Sequence, residues 1–206
     1  MMQNWLAWAK QIQAISQTGK AYTKDDYDME RYEQLQDLSY KMIASLAEQP
    51  VEKVANLFIN EHGYPTPKVD LRAGVIKDNK ILLVRERTDN CWSLPGGWAD
   101  VNEAPSAGII REVLEESGYH VSNPRLIALK DRALHPYQPV SIQHIYKLFF
   151  LCDFIGGEAK INIEVSDIDF FPLDNLPELS IGRVLNEDIR LLFDCHQNPT
   201  KSLYID

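Results

Sequence analysis

The sequence predicts an α+β protein, in which a sandwich of mixed β-sheet and helices follows a small all-α module. Three observations lead to this fold class. Residues 1–62 have a helical apolar periodicity, residues 68–206 are rich in short strand-like segments, and one convincing crossover helix lies among those strands. With 206 residues, 45% of them hydrophobic, the chain is long enough for one good core and a small extra module.

The N-terminal module is predicted to contain three helices. The first has an apolar stripe at three- and four-residue spacing, formed by Trp5, Trp8, Ile12 and Ile15. Gly19 interrupts the pattern, and Thr23 with Asp26 predicts a capping box before a second, longer stripe. Pro50 suits the start of a third helix, and "HGYPTP" predicts a linker at residues 63–67.

This module carries more large apolar side chains than three short helices cover by themselves. We therefore expect residues 1–62 to form the interface of a homodimer. Packing against the following domain of the same chain is the alternative.

Residues 68–206 are predicted to form the second domain. The segments "VDLRAGVI" and "KILLVRE" flank "KDN" and predict a hairpin. Further strands are predicted at "CWSL", "HIYKLFFLCDF" and "DIDFFPL", and a closing helix at "GRVLNEDIRLLFDCH".

Composition restricts the function classes. The net charge of −9 gives no general electrostatic help to nucleic-acid or membrane binding. The apolar segment "KLFFLC" is too short to span a bilayer. Cys91, Cys152 and Cys195 are odd in number and widely spaced, which indicates a reducing cytoplasm and no disulfide framework.

The stretch "SLPGGWADVNEAPSAGIIREVLEESGYH" contains the crossover helix. Pro105 suits its first turn and Gly118 its C-terminal cap. A core face is predicted at Ala107, Ile110, Val113 and Leu114, with Glu112, Glu115 and Glu116 on the opposite, polar face. Like charges at this spacing cost about 0.2–0.5 kcal/mol per pair, whereas a bound divalent cation makes them favourable. A solvated acidic face is the alternative interpretation.

The spacing of these residues resembles the Nudix box of pyrophosphohydrolases. The matching positions are Gly97, Glu103, Arg111-Glu112, Val113, Glu115-Glu116 and Gly118, and only Tyr119 departs, where the family has an aliphatic residue. The resemblance implies a Nudix α/β/α sandwich over about residues 68–206.

The resemblance also implies site residues. Glu112, Glu115 and Glu116 are expected to bind Mg²⁺, with Mn²⁺ as an alternative, and the backbone carbonyl of Gly97 is expected to join them. Arg111 and Glu103 are expected to brace the loop against the helix. The metal would neutralise a diphosphate and activate water.

The catalytic base is predicted less directly. Glu164, in "AKINIEVSDIDFF", is the candidate on a later loop. A solvated loop glutamate is an equally good interpretation of this residue, and Glu112 or Glu115 could assist instead.

Substrate contacts are predicted on three segments. Arg85 and Arg87 alternate onto one strand face and suit a phosphate. Trp98, like Trp92, flanks the Gly-Gly turn and suits a stacked base, with core packing as the alternative. Asp131 and His135, in "DRALHP", lie on a loop expected to reach the ligand.

A second resemblance concerns the substrate. The stretch "YTKDDYDMERYEQLQDLSYKMIA" is similar to the helical module of a bacterial group related to ADP-ribose and CDP-choline pyrophosphatases. It implies a nucleoside diphosphate linked to a small moiety, cut to a nucleoside monophosphate and a phosphorylated product. The alternatives are an RNA-end pyrophosphohydrolase or 3′–5′ trimming enzyme, and a non-catalytic Nudix ligand sensor. Such sensors commonly lose box carboxylates, which are all present here.

Overall fold

The computed structural model describes residues 2–58 and 63–206, and it describes side chains from residue 5 onward. Residues 59–62, the last of the predicted N-terminal module, lie outside the described residues. By its internal contacts the chain divides into two compact units, Met1–Pro67 with Val140–His144, and Lys68–Pro139 with Ile145–Asp206. The domain boundary predicted from the sequence stays a prediction. No helix of the described ranges is long and apolar enough to cross a membrane.

Within its described residues the first unit has three helices, α1 (Met2–Tyr22), α2 (Asp26–Leu46) and α3 (Val51–Phe58). Its core is small and apolar, formed by Leu6, Ala9, Ile43, Ala44 and Val54. The segment Val140–His144 belongs to this unit as well, and Ile142 packs against the same core.

Two local predictions for this unit were wrong. Gly19 does not interrupt α1, which continues to Tyr22. A Cβ at Gly19 would overlap the ring of Tyr32 on α2, so glycine at this position permits the two helices to pack closely. The second helix is capped by Asp25, whose carboxylate accepts a hydrogen bond of 2.9 Å from the Asp28 amide, instead of by Thr23.

The second unit is built on a mixed sheet of seven strands. The strands are β1 (Lys68–Lys77), β2 (Lys80–Glu86), β3 (Trp92–Ser93), β4 (Tyr119–Asp131), β5 (Ile145–Gly157), β6 (Val165–Pro172) and β7 (Tyr204–Ile205). Their order is β3-β2-β1-β5-β4-β7, and β6 pairs with β2. The β1–β5 and β4–β7 pairs are parallel, and the others are antiparallel. The predicted α+β fold class is confirmed.

Helices cover both faces of this sheet. The helix α4 (Pro105–Ser117) shares a core cluster with Leu71, Ala73 and Val75 of β1. The helix α5 (Asn186–Gln197) shares the opposite cluster with Ile76. Alternate residues of β1 therefore face different helices, as strand geometry requires.

The sequence did not predict β4. Its pairing with β5 shifts register at three points, and its stretch "YHVSNPRLIALKD" contains a proline. These irregularities remove the simple alternation that marks a strand in a sequence, so this strand is defined by its pairing with β5 and β7.

Candidate active site

The Gly-Gly turn is fixed by backbone hydrogen bonds to β1. The amide of Ala73 donates to the carbonyl of Pro95, and that of Leu71 to the carbonyl of Gly97, both at 2.8 Å. Gly96 between them has a φ of +138°, and a Cβ there would overlap the carbonyl oxygen of Leu71. Only glycine allows the loop to lie this close to the strand.

The helix α4 presents its box carboxylates differently from the prediction. Ile109 and Val113 are its buried apolar residues, whereas Leu114, predicted for the core face, is 42% exposed. Ala107, predicted for that face too, is exposed. Glu116, predicted for the polar face, is only 6% exposed. The predicted core face is thus correct at Val113 and at Ile110, which packs against the same cluster. It is wrong at the two exposed positions and at Glu116, because an apolar pattern carries no information about a polar partner from another segment.

That partner is the Gly-Gly turn. The amide of Gly96 donates to Oε2 of Glu116 at 2.8 Å. Burial raises the pKa of the Glu116 carboxyl to about 7, although the charge of Arg72 and the hydrogen bond from Gly96 oppose this shift. The charged form of a carboxylate that is buried in this way is stabilised by a nearby cation.

Arg111 is the centre of the ion pairs on the exposed side of α4. Its Nε and Nη2 donate to the two carboxylate oxygens of Glu103 at 3.1 and 2.9 Å. Its Nη1 lies 2.8 Å from Glu115 and 3.0 Å from Glu112. The structure thus brings together Arg111 and Glu103, the two residues predicted to brace the loop against the helix. The hydrogen bond to Glu103 contributes most to raising the pKa of Arg111.

Glu112 lies beside the turn. A Cβ on Gly97 would stand 3.2 Å from a carboxylate oxygen of Glu112. Burial raises the pKa of Glu112, and the charge of Arg111 opposes that shift. One lone pair of the Gly97 carbonyl is already used by the Leu71 amide.

Across the described ranges, no three His, Cys, Asp or Glu side chains are grouped so that they could hold a metal ion. In this arrangement Glu112 and Glu115 are directed to Arg111, and Glu116 to Gly96. The donor set nevertheless suits a hard cation, because it consists of carboxylate and backbone oxygens around one turn.

The candidate base, Glu164, lies directly before β6 and its side chain is exposed. Its backbone carbonyl accepts a 2.8 Å hydrogen bond from the amide of Arg87, the residue directly after β2. Its own amide donates to the Asn162 side chain at 2.8 Å. Asn162 also donates to the backbone carbonyl of Glu115 in α4 at 2.9 Å, so the loop reaches the box helix.

Both predicted phosphate-binding arginines donate to backbone carbonyls. Nε of Arg85 donates to Asn90 at 3.0 Å, within the β2–β3 turn. Nε of Arg87 donates to Asn162 at 3.3 Å. Each guanidinium keeps further donors, so a phosphate contact stays a prediction.

The two tryptophans that flank the Gly-Gly turn differ. Trp98 is 53% exposed, and its backbone bridges to Asp70. Trp92 stacks edge-on against Phe171, with ring centroids 4.7 Å apart, within the core on the α5 side. Trp98 therefore remains the candidate for stacking, whereas Trp92 packs in the core.

The predicted residues of "DRALHP" contact the end of the chain. Asp131 caps the 3₁₀ turn Arg132–Leu134 by accepting a 2.9 Å hydrogen bond from the Ala133 amide. His135 lies 3.0 Å from the Asp206 carboxylate and 3.2 Å from that of Glu187. These contacts give both residues a structural role, and substrate binding by them stays a prediction.

A buried ion cluster was missed by the sequence analysis. Asp70 of β1 pairs with Arg72 at 2.9 Å and with Lys147 of β5, and all three side chains are buried. Arg72 also donates to the Leu94 carbonyl at 3.1 Å, directly before the Gly-Gly turn. The sequence did contain a signal for this cluster. Asp70 and Arg72 occupy alternate positions of β1, and Lys147 lies within the apolar run "YKLFF".

The charges of this cluster offset the cost of burial. Burial raises the pKa of Asp70, but the charges of Arg72 and Lys147 outweigh it and hold that pKa below its usual value. Burial lowers the pKa of Lys147 to about 8, although Asp70 opposes the shift.

A second ion pair, between a buried carboxylate and a partly exposed arginine, was also missed. Glu86, at the end of β2, lies 3.2 Å from Nε of Arg183, which also reaches Asp89 at 3.1 Å. Burial raises the pKa of Glu86. This pair ties the β2–β3 turn to the segment that precedes α5.

Comparison with known proteins identifies two family models along the chain. Residues 3–58 match a UDP-X-like, N-terminal oligomerisation domain, and residues 69–191 match the NUDIX domain. YjhB of Bacillus subtilis (strain 168), provisionally named an ADP-ribose pyrophosphatase, is 42% identical over 98% of this chain and 97% of its own.

The solved structures that are similar to this one include two crystal structures at 34% identity. That of a UDP-X diphosphatase has a TM-score of 0.64 and 34% identity, and the match covers 100% of this chain and 99% of that one. That of an ADP-ribose pyrophosphatase from Streptococcus suis 89-1591 has a TM-score of 0.60 and 34% identity, covering 68% of this chain and 100% of that one.

Proposed function

This chain belongs to the NUDIX domain family and is a Nudix pyrophosphohydrolase, and from that premise we propose that it hydrolyses a nucleoside diphosphate linked to a small moiety. ADP-ribose and CDP-choline are the substrates that we propose. Water attacks one phosphorus, the bridging P–O bond breaks, and the products are a nucleoside monophosphate and a phosphorylated moiety.

One observation carries the proposal. The Gly-Gly turn, the brace between Glu103 and Arg111, and the carboxylates of α4 form one connected arrangement. The similarity to YjhB and to the UDP-X diphosphatase extends along the whole chain, helical module included, and supports a related substrate class.

We further propose that Mg²⁺, or Mn²⁺ in its place, binds at Glu112, Glu115, Glu116 and a backbone carbonyl of the turn. When bound, the metal supplies charge neutralisation and a more acidic water. The chain's own part is to hold these carboxylates: Gly96 holds Glu116 at the turn, and Arg111 pairs with Glu112 and Glu115.

Glu164 is the base that we propose, because its carboxylate is exposed and its loop is bonded to α4. Glu112 or Glu115 is the alternative. Trp98 is proposed to stack on the nucleobase, since its half-exposed ring follows the Gly-Gly turn.

The helical unit is proposed to join two copies of the chain. Trp5, Trp8 and Leu38 are each about half exposed, at 51%, 50% and 51%. Large apolar side chains that are exposed in one chain favour burial against a second chain. The match of residues 3–58 to an oligomerisation domain supports the same proposal.

A substrate panel tests the function. The full-length protein is incubated with Mg²⁺ or Mn²⁺ and with ADP-ribose, CDP-choline, other nucleotide sugars, dinucleoside polyphosphates or 5′-triphosphate RNA, and products are separated by chromatography. We expect AMP from ADP-ribose or CMP from CDP-choline. Hydrolysis of the RNA alone would replace this proposal with RNA-end processing, and no hydrolysis of any diphosphate would refute it.

A further inference from the structure

The loop that carries Glu164 has little apolar anchoring. Its neighbours Ile161 and Ile163 are 56% and 89% exposed, and the Glu164 side chain is exposed as well. The position of this segment therefore depends on its hydrogen bonds.

One side chain supplies three of these hydrogen bonds. Oδ1 of Asn162 accepts from the amides of Glu164 and Val165 at 2.8 and 2.7 Å, and thereby closes a local turn. Nδ2 of the same residue donates to the backbone carbonyl of Glu115 at 2.9 Å. Asn162 thus joins the Glu164 turn to the helix that carries the box glutamates.

The opposite side of the loop is held by Arg87, the residue directly after β2. The amide of Arg87 donates to the Glu164 carbonyl at 2.8 Å, and its Nε donates to the Asn162 carbonyl at 3.3 Å. Arg87 fixes the loop beside the sheet. On α4 the loop is held by the Asn162 amide group and by the Lys160 amide, which donates to the Ser117 carbonyl at 3.0 Å. Of these two, only Asn162 also bonds the amides of the Glu164 turn.

We propose that Asn162 is a positioning residue, which sets the distance of Glu164 from the carboxylates of α4 by tying their two backbones together. This inference rests on the proposed function, in which Glu164 acts as the base. Asparagine suits the task because its amide is both donor and acceptor, whereas an aspartate at this position would keep the turn and lose the donor to Glu115.

Three variants of the full-length protein test the proposal. Asn162→Ala removes all three hydrogen bonds, and Asn162→Asp removes only the bond to α4. Asn198→Ala is the matched control, because Asn198 also donates to a helix carbonyl, that of Asp194 at the end of α5. We expect kcat to fall about 10- to 100-fold in both Asn162 variants, with little change in KM or in thermal midpoint. The control should keep the wild-type kcat.

A double-variant cycle separates positioning from general stability. If Asn162 acts through Glu164, then Asn162→Ala should cause no further loss of kcat in a Glu164→Gln background. Three results would each overturn the proposal. They are losses of kcat that multiply in the double variant, an unchanged kcat in Asn162→Asp, and a loss of kcat in Asn198→Ala equal to that in the Asn162 variants.

A measurement independent of turnover completes the test. Amide hydrogen exchange at Glu164 and Val165 should accelerate in Asn162→Ala, and unchanged exchange would contradict the tie. An inactive wild-type protein with accelerated exchange in the variant would refute the proposed function and leave the structural tie standing.

Discussion

The amide of Gly96 and the carboxylate of Glu116 are joined by a hydrogen bond of 2.8 Å. The two residues lie on different segments, the Gly-Gly turn and the last turn of α4. Their bond aims a buried carboxylate at the turn, and it explains why one of the three box glutamates is buried while Glu115 is exposed.

Replacing Glu116 with Gln should separate chemistry from folding. The amide oxygen can still accept from Gly96, and a neutral group costs less to bury than a carboxylate, so the thermal midpoint should hold or rise. Turnover should fall at least about 100-fold, because a proposed metal-ligand charge is lost. Full activity at saturating Mg²⁺ would contradict the assignment.

Glu164→Gln should lower kcat strongly with little change in KM or in the Mg²⁺ dependence, because a base acts on the chemical step and not on binding. Steady-state kinetics across a Mg²⁺ series measures both effects. An unchanged kcat would transfer the role to Glu112 or Glu115.

Gly96→Ala should destabilise the protein and abolish turnover, because the new Cβ would overlap the Leu71 carbonyl and the residue has a φ of +138°. The strained backbone alone costs about 1–3 kcal/mol. Gly63→Ala is the control, since Gly63 has a φ of +86° but open space around it. Equal losses in both variants, measured by urea unfolding, would show that backbone strain alone is responsible.

Asp70→Asn should cost about 3–5 kcal/mol of unfolding free energy at neutral pH, because it leaves buried positive charge uncompensated. The folded pKa of Asp70 lies below its unfolded value of 3.8, so its contribution is complete above 3.8 and is lost as the pH falls through the folded pKa. The difference in unfolding free energy between the variant and the wild type should therefore become smaller as the pH falls below 3.8. Asp194→Asn, at the exposed pair with Lys201, should change stability far less. A difference that stays constant with pH would contradict the role of Asp70.

Leu38→Glu should convert the proposed homodimer into a monomer of 23.6 kDa, because it places a charge on the half-exposed apolar surface of α2. Light scattering measures the mass. Ile155→Glu is the control, since this residue is 63% exposed but lies on β5, outside the helical unit. A wild-type protein that is already monomeric, soluble and active at micromolar concentration would refute the dimer.

Local order was predictable where it depends on local sequence. The helix α4 runs from Pro105 to Ser117 and ends at Gly118 with a φ of +73°, as its proline and glycine predicted. The β1–β2 hairpin turns at Asp78 and Asn79, both with positive φ, as "KDN" predicted. Strand β4 was missed because its definition depends on a partner strand far along the chain.

The sequence by itself determined the chemistry of the box, because helical spacing places Glu112, Glu115 and Glu116 within two turns of one helix whatever surrounds it. Tertiary structure alone decided which of them is buried, and which distant residues support them. Asp70 meets Lys147 only because β1 and β5 pair in parallel register, and Asn162 meets Glu115 only because the loop before β6 reaches α4. Such contacts join residues far apart in the chain, and no periodicity within a short stretch encodes them.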